Sequence, residues 1–384
     1  MHMQTFGKFL TTKLVYHGPG AVVQLADEIK RLRGRRVGVV TDPGIAQAGL
    51  MDKVCEYVPK AERFSEIQPE PPVELVGRCV EFLRDQRCNL VIGLGGGSSI
   101  DTAKMAAVLI TNPGTVADYF GLDRVLKPGL PVIAIPTTAG TGSEVSPASV
   151  FVDSHDKIKK GVRSDYILPE VAILDPELTV SLPQRLTATT GIDALTHAIE
   201  CYTSPRATML SDLAAERAIR LLAEYLPVAY ANGRDMQARE GALMGSYLAG
   251  IALSVANVGA VHALAQTLGG LYNVTHGVAN SLFLPYVMEF NRIACKTKYA
   301  RVAALLGEIV DTLSPDDASR QAVVAVRKLT LDLNIPQRIR DLDVPEGSIQ
   351  RVADLCLQTQ QRLLATNPRT LSLEEAQSIL TKAY

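Results

Sequence analysis

The chain has 384 residues, 47% hydrophobic and 21% charged, ordinary globular proportions that exclude disorder and collagen-like repeats. Lys plus Arg number 39 against 40 Asp plus Glu, a formal net charge of −1, so no overall field recruits nucleic acid or an anionic membrane. At roughly 150 residues per domain the length predicts two domains, and 29 Gly with 21 Pro punctuate loops without forming a low-complexity linker.

Met1 to Phe9 lacks the apolar stretch of a secretion signal, and no apolar run long enough to span a membrane follows. The six cysteines, Cys55, Cys79, Cys88, Cys201, Cys295 and Cys356, form no C-x-x-C pair and suggest neither a disulfide framework nor a zinc ribbon. Scattered thiols in so long a chain predict a soluble, reduced, cytoplasmic protein.

In chain order, a helical pattern from about Ala21 to Leu32 leads through Gly34 into the apolar run Val37–Val40. Another, near Val73 to Arg84, leads into Leu90–Leu94. Pro131–Ile135, Val150–Val152 and Val171–Leu174 are further short apolar runs. Such runs between turn signals and amphipathic helices predict buried parallel strands in a helix-covered sheet. After Asp175-Pro176 the texture changes to Ala- and Leu-rich helical spacing, clearest over Leu210–Leu226, Gln237–Leu253, Lys298–Leu313 and Ser319–Leu333. The expectation is an α/β domain over residues 1–180 with a mostly parallel sheet, followed by an all-α domain over residues 181–384. No internal repeat is present.

Gly95-Gly96-Gly97-Ser98-Ser99 follows the Leu90–Leu94 strand and opens a helical pattern. A strand, a glycine turn and a helix N-terminus expose backbone N–H groups to a phosphate, although the segment is neither G-x-G-x-x-G nor a Walker A loop. The plainer alternative is a tight turn that packs helix on strand. Asp42, at the end of Val37–Val40, is placed to accept hydrogen bonds from a ribose diol and to repel a 2′-phosphate, which predicts NAD over NADP. It reads equally as a helix-cap aspartate before Pro43-Gly44. Thr137 to Glu144, rich in hydroxyls and glycine after Pro131–Ile135, suits a ligand-facing loop or a simple polar connection.

Asp193 and His197 stand at i and i+4 of one helical pattern, and His262 and His276 follow in apolar, Ala/Gly-rich surroundings. One carboxylate and three imidazoles suit Fe(II), Zn(II) or Co(II) and are a poor set for calcium. A histidine on an apolar face is usually a satisfied core residue, but the other three, His2, His17 and His155, fall in the tail or in loops.

Together the segments Gly95–Lys104 (GGGSSIDTAK), Pro136–Ser146 (PTTAGTGSEVS), Gly191–Ser204 (GIDALTHAIECYTS) and Val261–Asn280 (VHALAQTLGGLYNVTHGVAN) resemble the iron-containing (group III) alcohol dehydrogenase family over essentially the whole chain. The resemblance implies the dehydroquinate synthase-like fold: a Rossmann-like NAD-binding domain, an all-helical metal-binding and substrate domain, and an active site in the cleft between them. It implies Asp193, His197, His262 and His276 as metal ligands, with Fe(II) first and Zn(II) second. Gly95, Gly96, Gly97 and Ser98 then match the pyrophosphate loop, Thr137 and Thr138 residues lining the cofactor, and Lys159 the lysine that contacts the nicotinamide ribose. Asp42 matches the acidic position of NAD-preferring members. The implied reaction is hydride transfer between a primary alcohol or diol and NAD, in a cytoplasmic homodimer or larger homo-oligomer, with no nucleic-acid or membrane partner.

The chain departs from the family in several places. Gln266, one turn after His262, replaces a common histidine and does not titrate in the useful range. Leu253 and Val255 stand where phenylalanine and asparagine are common, so Leu253 and Gln266 are expected to line a more apolar substrate pocket. Glu70 replaces a usual asparagine. The rival readings are a hydroxyacid–oxoacid transhydrogenase with tightly held cofactor and a non-catalytic scaffold, and the intact ligand and glycine sets argue against the second.

Overall fold

The computed structural model describes residues 8–153, 155 and 158–384; His2 lies outside them. Among the described residues nine strands run in chain order as β1 (Leu14–His17), β2 (Val37–Val40), β3 (Glu62–Phe64), β4 (Leu90–Gly95), β5 (Gly121–Leu122), β6 (Val132–Pro136), β7 (Ala148–Asp153), β8 (Ile158–Arg163) and β9 (Val171–Leu174). Six of them form a parallel sheet in the order β1-β9-β6-β4-β2-β3, and β5-β8-β7 form a smaller one.

Residues 10–182 form one compact unit and residues 183–384 another. In the first, helices α1 (Leu25–Arg31), α2 (Pro43–Gln47), α3 (Leu50–Cys55), α4 (Val73–Asp85) and α5 (Gly97–Thr111) alternate with the strands. Side chains of a strand point alternately to the two sheet faces. Val91 accordingly joins an apolar cluster with α4 and α5, while Leu90, Ile92 and Leu94 join one with α1 and α3. Both faces of β4 are therefore dry, and all six of its residues are buried.

Val150–Val152 departs from the expectation of a buried parallel strand. It lies in β7, which pairs antiparallel with β8. Ser149 and Phe151 are buried there while Val150 is exposed, the alternation of a strand covered on one face only.

The second unit is helical: α6 (Gln184–Thr203), α7 (Met209–Ala231), α8 (Met236–Ala256), α9 (Ala260–Tyr272), α10 (His276–Asn291), α11 (Lys296–Leu305), α12 (Pro315–Asp332) and shorter helices beyond. The helix expected over Lys298–Leu313 ends at Leu305, because Gly307 turns the chain out at φ +94°. One apolar cluster draws on all of α6 to α12. No single helix among the described residues is long and apolar enough to cross a membrane.

Candidate metal centre and dinucleotide loop

Helix α6 is almost wholly buried, and its threonines stay satisfied by bonding back along the helix, Thr196 to the Ile192 carbonyl and Thr203 to that of Ile199. Asp193, His197 and Glu200 stand at i, i+4 and i+7, one face of a 3.6-residue period. Helix α10 begins at His276 and comes very close to α6. A Cβ on Gly277 would lie 2.9 Å from the Thr189 carbonyl oxygen, so only glycine after His276 lets this first turn seat there.

The donor atoms of Asp193, His262 and His276 lie within 4.8 Å of one another. His262 Nε2 is 3.7 Å and His276 Nε2 3.9 Å from Asp193 Oδ1. The His197 ring stacks on that of His262 with centroids 4.7 Å apart. Three of the four expected side chains thus converge as a donor cluster, and the fourth stands against it.

Two residues missed by sequence reasoning hold the cluster. Glu200 Oε2 lies 2.5 Å from His262 Nδ1, and its Oε1 accepts the Val261 N–H at 2.7 Å. Asn280 donates to Asp193 Oδ1 at 2.5 Å and lies 3.0 Å from His276 Nε2. Helical spacing carried both signals, since Glu200 is three residues past His197 and Asn280 four past His276. Burial raises the Asp193 carboxyl, but the imidazoles of His197, His276 and His262 and the Asn280 amide outweigh it and hold its pKa below the usual value.

The donors fit a cation. With Nδ1–H engaged by the Glu200 carboxylate, the Nε2 of His262 carries a lone pair. That atom is buried with no hydrogen-bond partner and faces a carboxylate oxygen. Two electron-rich atoms so placed repel unless positive charge lies between them, and the donor set is that of a borderline divalent metal. Gln266 lies one turn beyond His262 on α9, half-buried, and Leu253 packs against the helical core near the end of α8.

His17 ends β1 rather than lying in a loop, and His155 is an exposed turn residue; neither belongs to the donor cluster.

In the other unit the glycine loop leads from β4 into the N-terminus of α5. Gly95 sits at φ +141°, and a Cβ on Gly97 would meet Thr141 at 2.8 Å, so glycine is required at both. Asp42 caps α2, its Oδ1 accepting the Ile45 N–H at 3.0 Å, while its Oδ2 stands 3.4 Å from Ser99 Oγ. The helix-cap reading of Asp42 therefore holds, and its second oxygen faces the first turn of α5. Thr137 donates its N–H to the Gly95 carbonyl at 3.0 Å, and Thr138 flanks Gly96. Lys159 pairs with Glu70 at 2.6 Å.

Beneath this loop lies a polar knot. The Lys104 ammonium, fully buried, donates to the carbonyls of Ser143, Ser146 and Ala148 at 2.9, 3.2 and 2.5 Å and sits 3.1 Å from Asp101 Oδ1. Burial pulls its pKa down, partly offset by Asp101. Burial likewise pushes Glu144 up to about 7 from 4.5. Between those values the folded chain keeps a proton that the unfolded chain releases. The stability contributed by Glu144 is thus fully present below about 4.5 and is lost as pH rises through about 7. Glu144→Gln is expected to melt several degrees above the parent at pH 8 and to converge with it near pH 4.5, as followed by thermal denaturation.

Residues 12–176 match the sequence profile described as "Iron-containing alcohol dehydrogenase", and residues 187–384 that of the "Fe-containing alcohol dehydrogenase family, C-terminal". The chain belongs to the iron-containing alcohol dehydrogenase family. Among its relatives in this family is long-chain-alcohol dehydrogenase 1 of Geobacillus thermodenitrificans, 44% identical over 97% of this chain and 95% of that protein. A crystal structure of 1,3-propanediol oxidoreductase superposes with a TM-score of 0.96 at 37% identity, covering 99% of this chain and 100% of that one. Sulfoacetaldehyde reductase from Bifidobacterium kashiwanohense, crystallised with NAD+, gives a TM-score of 0.88 at 28% identity over 98% of each chain. The helical unit of this iron-containing alcohol dehydrogenase family member thus carries the donor cluster, and its α/β unit the glycine loop.

Proposed function

We propose that the protein is an NAD-dependent, divalent-metal-assisted alcohol dehydrogenase/aldehyde reductase. Residues 1–180 serve as the NAD-binding domain and residues 181–384 as the metal and substrate domain. The observation that carries the reading is the buried, unpartnered His262 Nε2 facing Asp193 Oδ1 at 3.7 Å, with the imidazole fixed from behind by Glu200. Asp193, His197, His262 and His276 would hold the ion, Fe(II) by preference and Zn(II) as the second choice. When bound, a divalent ion supplies Lewis acidity that lowers the pKa of an alcohol or polarises an aldehyde carbonyl.

The chain's own residues do the rest. The amides of Gly95, Gly96, Gly97 and Ser98 at the start of α5 receive the pyrophosphate, favoured by the helix dipole. Asp42 Oδ2 faces the ribose diol and disfavours a 2′-phosphate. Thr137 and Thr138 line the cofactor, and Lys159 reaches its ribose. Gln266 orients substrate by hydrogen bonding but takes no proton, so the proton of alcohol oxidation leaves through water or a ribose hydroxyl. The cytoplasmic location rests on six free cysteines, five of them buried. A homodimer or larger homo-oligomer is carried over from the family resemblance, and light scattering on the purified protein tests it.

The test strips the protein of metal, reconstitutes it anaerobically with Fe(II) or Zn(II), and follows nicotinamide absorbance with NAD or NADP and alcohols from ethanol to hexanol, 1,2-propanediol and glycerol. Metal-dependent activity with NAD over NADP is expected. Catalytic efficiency is expected to rise with alkyl chain length past Leu253, and higher efficiency on 1,2-propanediol than on butanol or pentanol would remove that assignment. Gln266→His is expected to introduce an ionisation near neutrality into the pH dependence of kcat. Silence with every metal and alcohol would overturn the dehydrogenase reading.

A further inference from the structure

Glu70 occupies a conformation its sequence disfavours. It has φ +54°, the left-handed region that costs free energy for any residue with a Cβ, and it precedes Pro71, which pushes its predecessor toward extended backbone. Strain of this kind persists where the surroundings fix it, and it concentrates at functional sites. Two contacts hold Glu70. Its N–H donates to Ser98 Oγ in the glycine loop at 3.3 Å, and its Oε1 pairs with Lys159 Nζ at 2.6 Å. The next residues are tied to the strand opposite Lys159, since Val152 donates to the Pro71 carbonyl at 3.0 Å and Val152 registers with Lys159 across β7 and β8. Glu70 therefore bridges the phosphate-facing loop and the Lys159 ammonium, whose side chain is only 11% exposed.

We propose that Glu70 sets how tightly this chain holds its dinucleotide: its carboxylate repels a pyrophosphate seated beside Ser98 and competes with the cofactor for the Lys159 ammonium. The inference rests on the reading of the glycine loop as an NAD site. The pyrophosphate, seated on the amides beside Ser98, brings negative charge next to a carboxylate that already engages Lys159. Binding then requires either sharing that ammonium or tolerating the repulsion, and both favour dissociation of the cofactor.

The experiment measures binding of NADH by fluorescence titration, and of ADP-ribose and adenosine by calorimetry, to the metal-loaded parent, Glu70→Gln and Glu70→Asn. Glutamine keeps the side-chain length and the strain and removes the charge. Asparagine tolerates the left-handed backbone and secures a folded variant, which a thermal melt verifies. Both variants are expected to bind NADH and ADP-ribose roughly three- to tenfold more tightly at low salt, the effect of one unit charge within a Debye length, with the gain shrinking as salt rises. Adenosine, which carries no phosphate, is expected to bind as in the parent. Unchanged or weaker NADH binding in both variants overturns the proposal, as does an equal gain for adenosine or a gain indifferent to salt. A parent that binds neither NADH nor ADP-ribose overturns the NAD reading itself, a result distinguishable from the others.

Discussion

The Asp193→Ala protein is expected to retain almost no metal after purification and to lose roughly a thousandfold or more in kcat/KM, the several kcal/mol that a Lewis-acidic ion contributes. Asp193 is the one anionic donor of the cluster, and the imidazoles around it keep it ionised in spite of its burial. Removing it leaves the cluster only the imidazoles of His262 and His276, with His197 stacked beside them, and no carboxylate to offset a divalent ion's charge. Asp193→Asn preserves the shape and the Asn280 contact on α10 while deleting the charge, and it is expected to fall nearly as far. Metal analysis by mass spectrometry, beside steady-state kinetics, reads both variants. A variant with full metal content and near-parental turnover would strike Asp193 from the ligand set.

Glu200→Gln is expected to weaken metal binding by about 10- to 100-fold, the usual penalty for losing a partner that orients a ligating histidine. The Glu200 carboxylate accepts from His262 Nδ1 and so fixes the proton there and the lone pair on Nε2. A glutamine amide can donate to Nδ1 instead, which moves the ring proton to Nε2 and blocks that atom as a ligand. Chelator competition measures this directly. Glu200→Ala adds a second effect, because Glu200 Oε1 also receives the Val261 N–H in the first turn of α9. Leaving that amide and His262 Nδ1 buried without partners costs about 1–3 kcal/mol each, so the alanine variant is expected to melt lower even without metal. Parental metal affinity in Glu200→Gln would leave Glu200 only its role at the start of α9.

Apolar periodicity made the central strands legible. Buried on both faces, β4 and β9 read as unbroken apolar runs. The edge strands did not. β1 ends in Tyr16 and His17, and Glu62 and Arg63 open β3, so each has partners on one side only and carries polar side chains that pass for loop. β8 is central in the small sheet, but its two adjacent lysines pass for loop as well. Val150–Val152 was legible as a strand but not as a member of the small sheet, since three residues do not fix which partners a strand takes.

The donor side chains could be named from the sequence because histidine is scarce here and Asp193 and His197 share a helical face. Their convergence could not, because it depends on contacts between helices far apart in sequence: Gly277 against Thr189, and Glu200 against the start of α9. Asn280 and Glu200 belong to residue types that elsewhere decorate surfaces, and only burial beside a histidine distinguishes them. Lys104 fitted the apolar face of α5 by position, and its pairing with three carbonyls depends on a loop some forty residues later.

That lysine has a consequence for how the enzyme meets its surroundings. Three backbone carbonyls and a carboxylate around one positive charge make the coordination shell that many proteins assign to a bound potassium or sodium ion. Here the cation is tethered to α5 by its own side chain and cannot be exchanged or diluted away. The turn from Ser143 to Ala148 therefore keeps its shape whatever monovalent salts surround the protein, and its integrity is inherited with the gene rather than drawn from the medium.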